Sequence, residues 1–329
     1  MSDIIKAKSV FEKIKEDFLS KDNVMGMDIG LKISETDKKV NQDVIAIRIH
    51  VEQKKDEIDL TQQGIDIIKK NIDGVPIDIV QANLNQRASI PRLRPAELRT
   101  QQRNDLIGGI SIGGINKKGY GTLGAIVFDI EESKPMILSN FHVLGDVNNP
   151  MKKLTHVFQP AIANLKKPRS TSDSDSNYIA AVLSRSGIDQ GLDCAVAEIK
   201  NRSASNYVLG IGQIKGTIAP RLGMRVKKSG LVTDITKGII DGINWTGYID
   251  PLAKEKKQLI KNAVHIISSD SLDSKEEISY YGDSGSLWVT ENDYAVSLHF
   301  AGELYSNPIE FALAHPIIDV MKILKISFS

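Results

Sequence analysis

Cysteine is almost missing from this chain: Cys194 is the single one among 329 residues. No intrachain disulfide can form, which sets the chain apart from disulfide-stapled secreted scaffolds and points to a reducing, cytoplasmic setting. Net charge is nearly missing too, at +1 from 42 basic and 41 acidic residues, so there is no electrostatic reason to expect nucleic acid or anionic lipid as the main partner. No apolar run approaches the ~18–20 residues needed to span a bilayer. The opening Met1-Ser2-Asp3-Ile4-Ile5-Lys6 leads into a charged helical pattern rather than an apolar signal core, so no secretory signal is expected. No G-x-x-x-x-G-K-[ST] loop occurs. His50, His156, His265 and His315 have no metal-ligand spacing with Cys194 or with one another, so neither metal nor other cofactor is expected.

What is present is ordinary globular material, 41% apolar and 25% charged, enough for a sizeable core. Ile4, Ala7, Phe11, Ile14 and Phe18 recur at three- and four-residue steps, predicting an amphipathic helix over 3–20. Strands are predicted at Met25–Ile33, at Asp43–Gln53 (half-buried, with Ile45, Ile47, Ile49 and Val51 on one face) and at Val75–Gln81, with a short helix near Gln62–Lys70. Residues 1–83 thus read as a small α+β unit. Residues 84–107 are polar and basic, with Arg87, Arg92, Arg94, Arg99 and Arg103 but no interleaved aromatics, and read as a solvated linker rather than a nucleic-acid arm.

Beyond it come many short strands punctuated by turn residues: Thr122–Phe128, Pro135–Asn140, Asp193–Ile199, Met224–Lys228, Gly238–Ile243, Val264–Ser268, Ser286–Thr290 and Tyr294–Phe300. The pattern predicts a barrel or sandwich over 108–329. The low-complexity stretch Lys166–Ser176 reads as an exposed loop, and Pro316–Ile326 as a docking terminal helix.

Three segments carry chemistry. Tyr281-Gly282-Asp283-Ser284-Gly285-Ser286 offers a hydroxyl on a glycine-flanked turn, where the N–H groups of Gly282 and Ser284 can converge on a developing oxyanion. A neutral serine needs a base, and His142 in Leu138-Ser139-Asn140-Phe141-His142-Val143 can supply it. Asp193 in Leu192-Asp193-Cys194-Ala195-Val196 can fix the tautomer of that base. Alone, Gly-Asp-Ser-Gly is as readily a surface turn, His142 a strand-end histidine and Asp193 a turn residue. Together, in the order His, Asp, Ser and at strand edges, they point to nucleophilic catalysis.

These segments resemble those of trypsin-like, chymotrypsin-fold serine peptidases, closest to intracellular bacterial members and the plant NARROW LEAF 1 type. Gly121-Thr122-Leu123-Gly124-Ala125, Val226-Lys227-Lys228-Ser229-Gly230, Ile47–Lys54 and Asp73-Gly74-Val75-Pro76-Ile77-Asp78 resemble that group as well. The resemblance implies a mainly β fold of two six-stranded barrels, about 108–205 and about 220–314, with a terminal helix at about 316–326 and the site in the cleft between barrels. It implies a protein or peptide substrate, catalysis by His142, Asp193 and Ser284, and an oxyanion hole at Gly282 and Ser284. His299 falls at the position of a pocket histidine in glutamate-specific and glutamine-specific relatives, which implies an acidic or amide preference; a histidine merely hydrogen-bonded inside the second barrel is the other reading.

Two departures stand out. Ser286 occupies a usual glycine position, and the chain has no cleavable Ile-Val-Gly-Gly start whose freed amine could pair with Asp283. The front unit is open to an inhibitory, positioning or passive structural role, and a regulatory protein partner and an oligomeric state stay open with it. The competing reading of the whole is a catalytically silent protease fold, an interaction platform assembling through residues 1–83.

Overall fold

The structure is a computed structural model that describes residues 2–33, 40–52, 70–82, 96–114, 120–146, 156–165, 178–249, 258–268, 277–303 and 310–329. The expected helix near Gln62–Lys70, apart from its last residue, and the expected loop Lys166–Ser176 lie outside these residues.

The chain is mainly β. In one sheet, strands Arg225–Gly230, Leu287–Thr290, Tyr294–Gly302, Phe311–Pro316, Gln258–Ser268 and Asp234–Ile249 follow one another in space. Pairing of the first with the last (Val226↔Gly238) closes these six into a barrel. The other large sheet is a curled one with the order Ile326–Ser327, Ala125–Asp129, Pro135–Ser139, Ala195–Ile199, Ile179–Ser186, His156–Phe158, Ser111–Gly114 and Gly121–Thr122. This is the two-barrel, chymotrypsin-like arrangement. The two units share one apolar core, in which Val127, Leu138 and Val196 of the first meet Leu287, Val289 and Leu298 of the second. Ile317, Val320 and Leu324 of the terminal helix Ile317–Leu324 pack into the same core. The chain then ends by pairing Ile326 with Asp129 of the first sheet.

The front residues join this architecture through the sheet itself. Helix Ser2–Leu19 lays Ala7, Val10, Phe11, Ile14 and Phe18 against Met27, Ile29, Ile47 and Ile49. Strand Val24–Ile33 pairs on one side with Val40–Val51 and on the other with the long barrel strand (Gly26↔Gly247, Gly30↔Gly242). The predicted half-buried strand is therefore buried on both faces, because the barrel covers the face that carries Arg48 and His50, both fully buried. Arg48 sits between Asp28 and Asp241, with Nε 2.7 Å from Asp28 Oδ1. Gly30 and Gly242 flank the guanidinium so closely that a Cβ on either would collide with it. His265 Nδ1 lies 2.6 Å from the other oxygen of Asp241.

Residues 96–107 are more ordered than a solvated linker. Glu97–Thr100 is one helical turn, and Asp105–Gly108 is a strand parallel to Ser203–Val208. Arg99 is buried, donating to the Gly109 carbonyl and the Ser229 hydroxyl and pairing with Asp234. A buried guanidinium needs all of these partners, and sequence spacing does not reveal them.

Candidate active site

Strand Pro135–Ser139 ends at Asn140, and Phe141–Leu144 makes a single helical turn anchored by buried Phe141, Val143 and Leu144. Three apolar anchors in a four-residue turn leave the fourth, His142, facing outward, with its side chain 13% exposed. Asp193 precedes strand Ala195–Ile199, whose antiparallel register sets Ala195 opposite Ser139. That register brings His142 and Asp193 together across 51 residues of sequence. One Asp193 oxygen accepts the backbone N–H of His142 at 3.0 Å, and the other faces the ring Nδ1 in a short contact.

The backbone of Asp193 is held in turn. Its carbonyl accepts the Asn140 amide at 2.6 Å, and its N–H donates to His315 Nε2 at 3.0 Å. His315 is stacked 4.1 Å from the Phe300 ring, and burial lowers its pKa to about 4, so it stays a neutral acceptor. Burial alone would raise the Asp193 carboxyl. Attraction to His142 and the bonds from its ring and backbone outweigh that and hold the carboxyl below the ordinary range.

Ser284 lies on a tight turn in the second barrel, gripped from both sides. From the first barrel, Thr122 N–H donates to the Ser284 carbonyl and the Thr122 hydroxyl to the Gly282 carbonyl, both at 2.8 Å. From its own barrel, Gly285 N–H donates to His299 O and His299 N–H to Ser286 O, both at 2.9 Å. Gly282 and Gly285 have φ of +100° and +92°, a region that favours glycine.

The N–H groups of this turn can be accounted for one by one. Asp283 donates to the Tyr280 carbonyl, Gly285 to His299 and Ser286 to the Asp283 carbonyl. Among the described residues, those of Gly282 and Ser284 have no acceptor. The Ser284 hydroxyl is 3.5 Å from the Phe300 carbonyl, a contact at the limit of a hydrogen bond, and makes none with His142.

His299 is 2% exposed and edge-on to Trp288 at 6.3 Å. Its ring is hydrogen-bonded to the Leu313 backbone, and Nδ1 has no partner among the described residues. Burial, reinforced by the charge of Lys228, lowers its pKa to about 3 and keeps it neutral. Among the described residues no group of three His, Cys, Asp or Glu could hold a metal ion. Cys194 is buried, and burial pushes its thiol well above the ordinary range, so it is inert.

Sequence reasoning missed Asn140 and His315, which hold Asp193, and Thr122, which holds the serine turn. It also missed Lys228, whose Nζ lies 2.9 Å from Asp283 Oδ2 with both side chains fully buried. Local pattern carries none of these; a buried lysine shows only once the sheet is assembled.

No protein-family model matches the chain, and no curated protein matches it. Solved structures do. A protease from Nocardiopsis is 16% identical, with 68% of this chain and 98% of that one covered and a TM-score of 0.47. Protease A from Thermobifida fusca is likewise 16% identical, covering 68% and 97%, with a TM-score of 0.47. A serine protease described as specific for glutamic acid and using a histidine triad in substrate binding is 16% identical, covering 68% and 99%, with a TM-score of 0.46. These neighbours are serine proteases, and the likeness is one of fold.

Proposed function

We propose that the chain is a serine endopeptidase working through His142, Asp193 and Ser284. The observation that carries the reading is the conjunction at the Ser284 turn. A buried carboxylate is hydrogen-bonded to the His142 ring, and the two turn N–H groups without an acceptor belong to Gly282 and Ser284. In this mechanism Ser284 Oγ attacks the scissile carbonyl carbon while His142 Nε2 takes its proton. Asp193 holds Nδ1–H and stabilises the imidazolium, and Gly282 and Ser284 N–H groups receive the oxyanion. His142 then protonates the departing amine. Water enters by the same path in reverse to release the acyl group. The mechanism requires the Ser284 hydroxyl to turn from the Phe300 carbonyl toward His142.

For the pocket, His299 is neutral and almost wholly buried, and its Nδ1, unpartnered among the described residues, is closed to solvent. The acidic or amide preference therefore rests on the position of His299 in the sequence. Residues 1–83 are read as a positioning unit, which the continuous pairing of strand Val24–Ile33 with the barrel strand supports. Kinship with the intracellular bacterial and plant NARROW LEAF 1 type rests on the motifs alone, and a cytoplasmic setting on the lone cysteine. Among the described residues no helix is long and apolar enough to cross a membrane.

The silent-platform reading draws on one observation, the Ser284 hydroxyl turned toward Phe300. A peptide library incubated with wild type and with Ser284→Ala separates the two. New termini that depend on Ser284 and cluster after glutamate or glutamine are expected. The platform reading prevails if both proteins leave the library intact, and the pocket assignment fails if His299→Ala leaves the residue preference unchanged.

A further inference from the structure

His142 and Asp193 belong to the first barrel and Ser284 to the second, so the three can act together only if the barrels are held in register. The Asn140 amide and the backbone and ring of His142 bind Asp193 from its own barrel. The bond from the Asp193 N–H to His315 Nε2, at 3.0 Å, crosses to the other. His315 lies near the end of strand Phe311–Pro316, opposite Leu298. Its ring is fully buried and stacked on Phe300, with centroids 4.1 Å apart and planes 13° from parallel. The Phe300 carbonyl is in turn the group that the Ser284 hydroxyl faces. One imidazole therefore meets Asp193 of the first barrel with its edge and Phe300 of the second with its face.

The proton on this ring is placed by Asp193 alone. Nε2 accepts, so the neutral ring carries its proton on Nδ1, which has no partner among the described residues. A buried donor without an acceptor is costly, and an apolar ring in this place would avoid that cost. An apolar ring could not, however, accept the N–H of Asp193, which is itself buried.

We propose that His315 is a positioning residue for the reaction: its edge holds Asp193, and through it the His142 ring, in register with Ser284 across the seam between the barrels. The inference rests on the serine-peptidase reading for its effect on rate; the placing of the His142 ring is a separate, structural claim. Without an acceptor here the Asp193 N–H is buried and unsatisfied, and residue 193 must shift to relieve it. Its carboxylate moves with it, and the His142 ring follows the carboxylate. Protonation of His315 acts in the same way, because an Nε2–H would face the Asp193 N–H donor to donor. Burial opposes that charge, Asp193 favours it and His142 opposes it. Phe300 on the ring face and Leu298 opposite carry no charge. The ring therefore stays neutral until the pH falls to about 4.

The test uses the full-length chain as wild type, His315→Phe and His315→Gln. Phenylalanine keeps a ring on Phe300 and lacks the acceptor; glutamine can present an amide oxygen near the Nε2 place and lacks the stack. The readouts are the rate of fluorophosphonate labelling at Ser284, the low-field NMR signal of the His142 Nδ1 proton (assigned by its loss in Asp193→Asn) and the urea midpoint. Folded His315→Phe should label ~100-fold more slowly, the order for a catalytic group misplaced by ~1 Å, with the His142 signal displaced. His315→Gln should recover most of the rate and the wild-type signal, even with a lower urea midpoint. A merely structural role predicts the reverse order, so His315→Phe that labels as fast as wild type, or faster than His315→Gln, overturns the proposal. If His315→Phe does not fold, wild type decides, through the scalar coupling across the Asp193 N–H to Nε2 hydrogen bond. Loss of that coupling on acidification together with a shift of the His142 signal upholds the proposal; a coupling never seen, or lost while the His142 signal stays put, overturns it. Wild type that never labels, yet has a His142 signal displaced in His315→Phe and restored in His315→Gln, upholds the positioning and refutes the peptidase reading instead.

Discussion

Replacing Asp193 by asparagine is the sharpest perturbation available, because the two carboxylate oxygens already have different jobs. Oδ1 accepts the His142 backbone N–H at 3.0 Å, and Oδ2 faces the ring Nδ1. An asparagine has one acceptor and one donor arm. The backbone N–H of His142 can only donate, so the amide oxygen must take the Oδ1 place and the N–H₂ must face Nδ1. That arm donates, which makes Nδ1 an acceptor and moves the ring proton to Nε2, the atom that has to receive the serine proton. The histidine is then in the wrong tautomer with little change in shape. In Ser-His-Asp enzymes this costs ~10⁴ in kcat, or ~5.5 kcal/mol of barrier. The anchors around the position should hold, since Asn140 and His315 bind the Asp193 backbone and not its carboxylate. The assay is turnover of a cleavable peptide alongside thermal unfolding. A folded Asp193→Asn protein within tenfold of wild type would refute the reasoning.

Further expectations follow from other parts of the molecule. Arg48→Met leaves Asp28 and Asp241 buried without their cation, and should cost ~3–5 kcal/mol of stability in urea unfolding. Replacing all three by apolar residues should recover most of that; a single mutant as stable as wild type would mean the network carries no weight. Gly282→Ala must adopt φ near +100° and bring a Cβ within 2.5 Å of the Tyr120 ring, so labelling of Ser284 should fall at least ~100-fold. For acid, the sign is fixed by His299 and His315, lowered by burial from 6.5 to about 3 and about 4. Between those values and 6.5 the unfolded chain binds more protons than the folded one, so stability should decline as pH falls below about 6.5. Asp193 and Asp283, both held low when folded, add a further loss once pH drops through the carboxylate range. A urea midpoint that is flat from pH 7 to 4.5 would contradict this.

How much of this was legible in the sequence depends on the range of the interactions involved. The helix 3–20, the strands around Met25–Ile33 and Val75–Gln81 and the terminal helix follow from periodicity, and each lies within a residue or two of its expected place. Strand lengths were less legible: Gly238–Ile243 is the middle of Asp234–Ile249, a strand long enough to serve both the barrel and the front sheet. Strands such as Ile179–Ser186 and Ser203–Val208, with mixed burial and no clean alternation, gave no signal. At the site, His142, Asp193 and Ser284 could be named because each sits in a local motif. Lys228 and His315 could not, because their roles come from partners 55 and 122 residues away. Arg99 read as solvated for the same reason, since its partner Asp234 is 135 residues further on.

The most direct test of the central claim is intact-mass and peptide-mapping analysis after exposure to a fluorophosphonate. A serine activated by His142 and flanked by two free N–H donors should take up one phosphonyl group, on Ser284 alone, and Ser284→Ala and His142→Ala should take up none. A folded wild-type protein that stays unmodified at Ser284, or that is modified equally well without His142, would contradict the account.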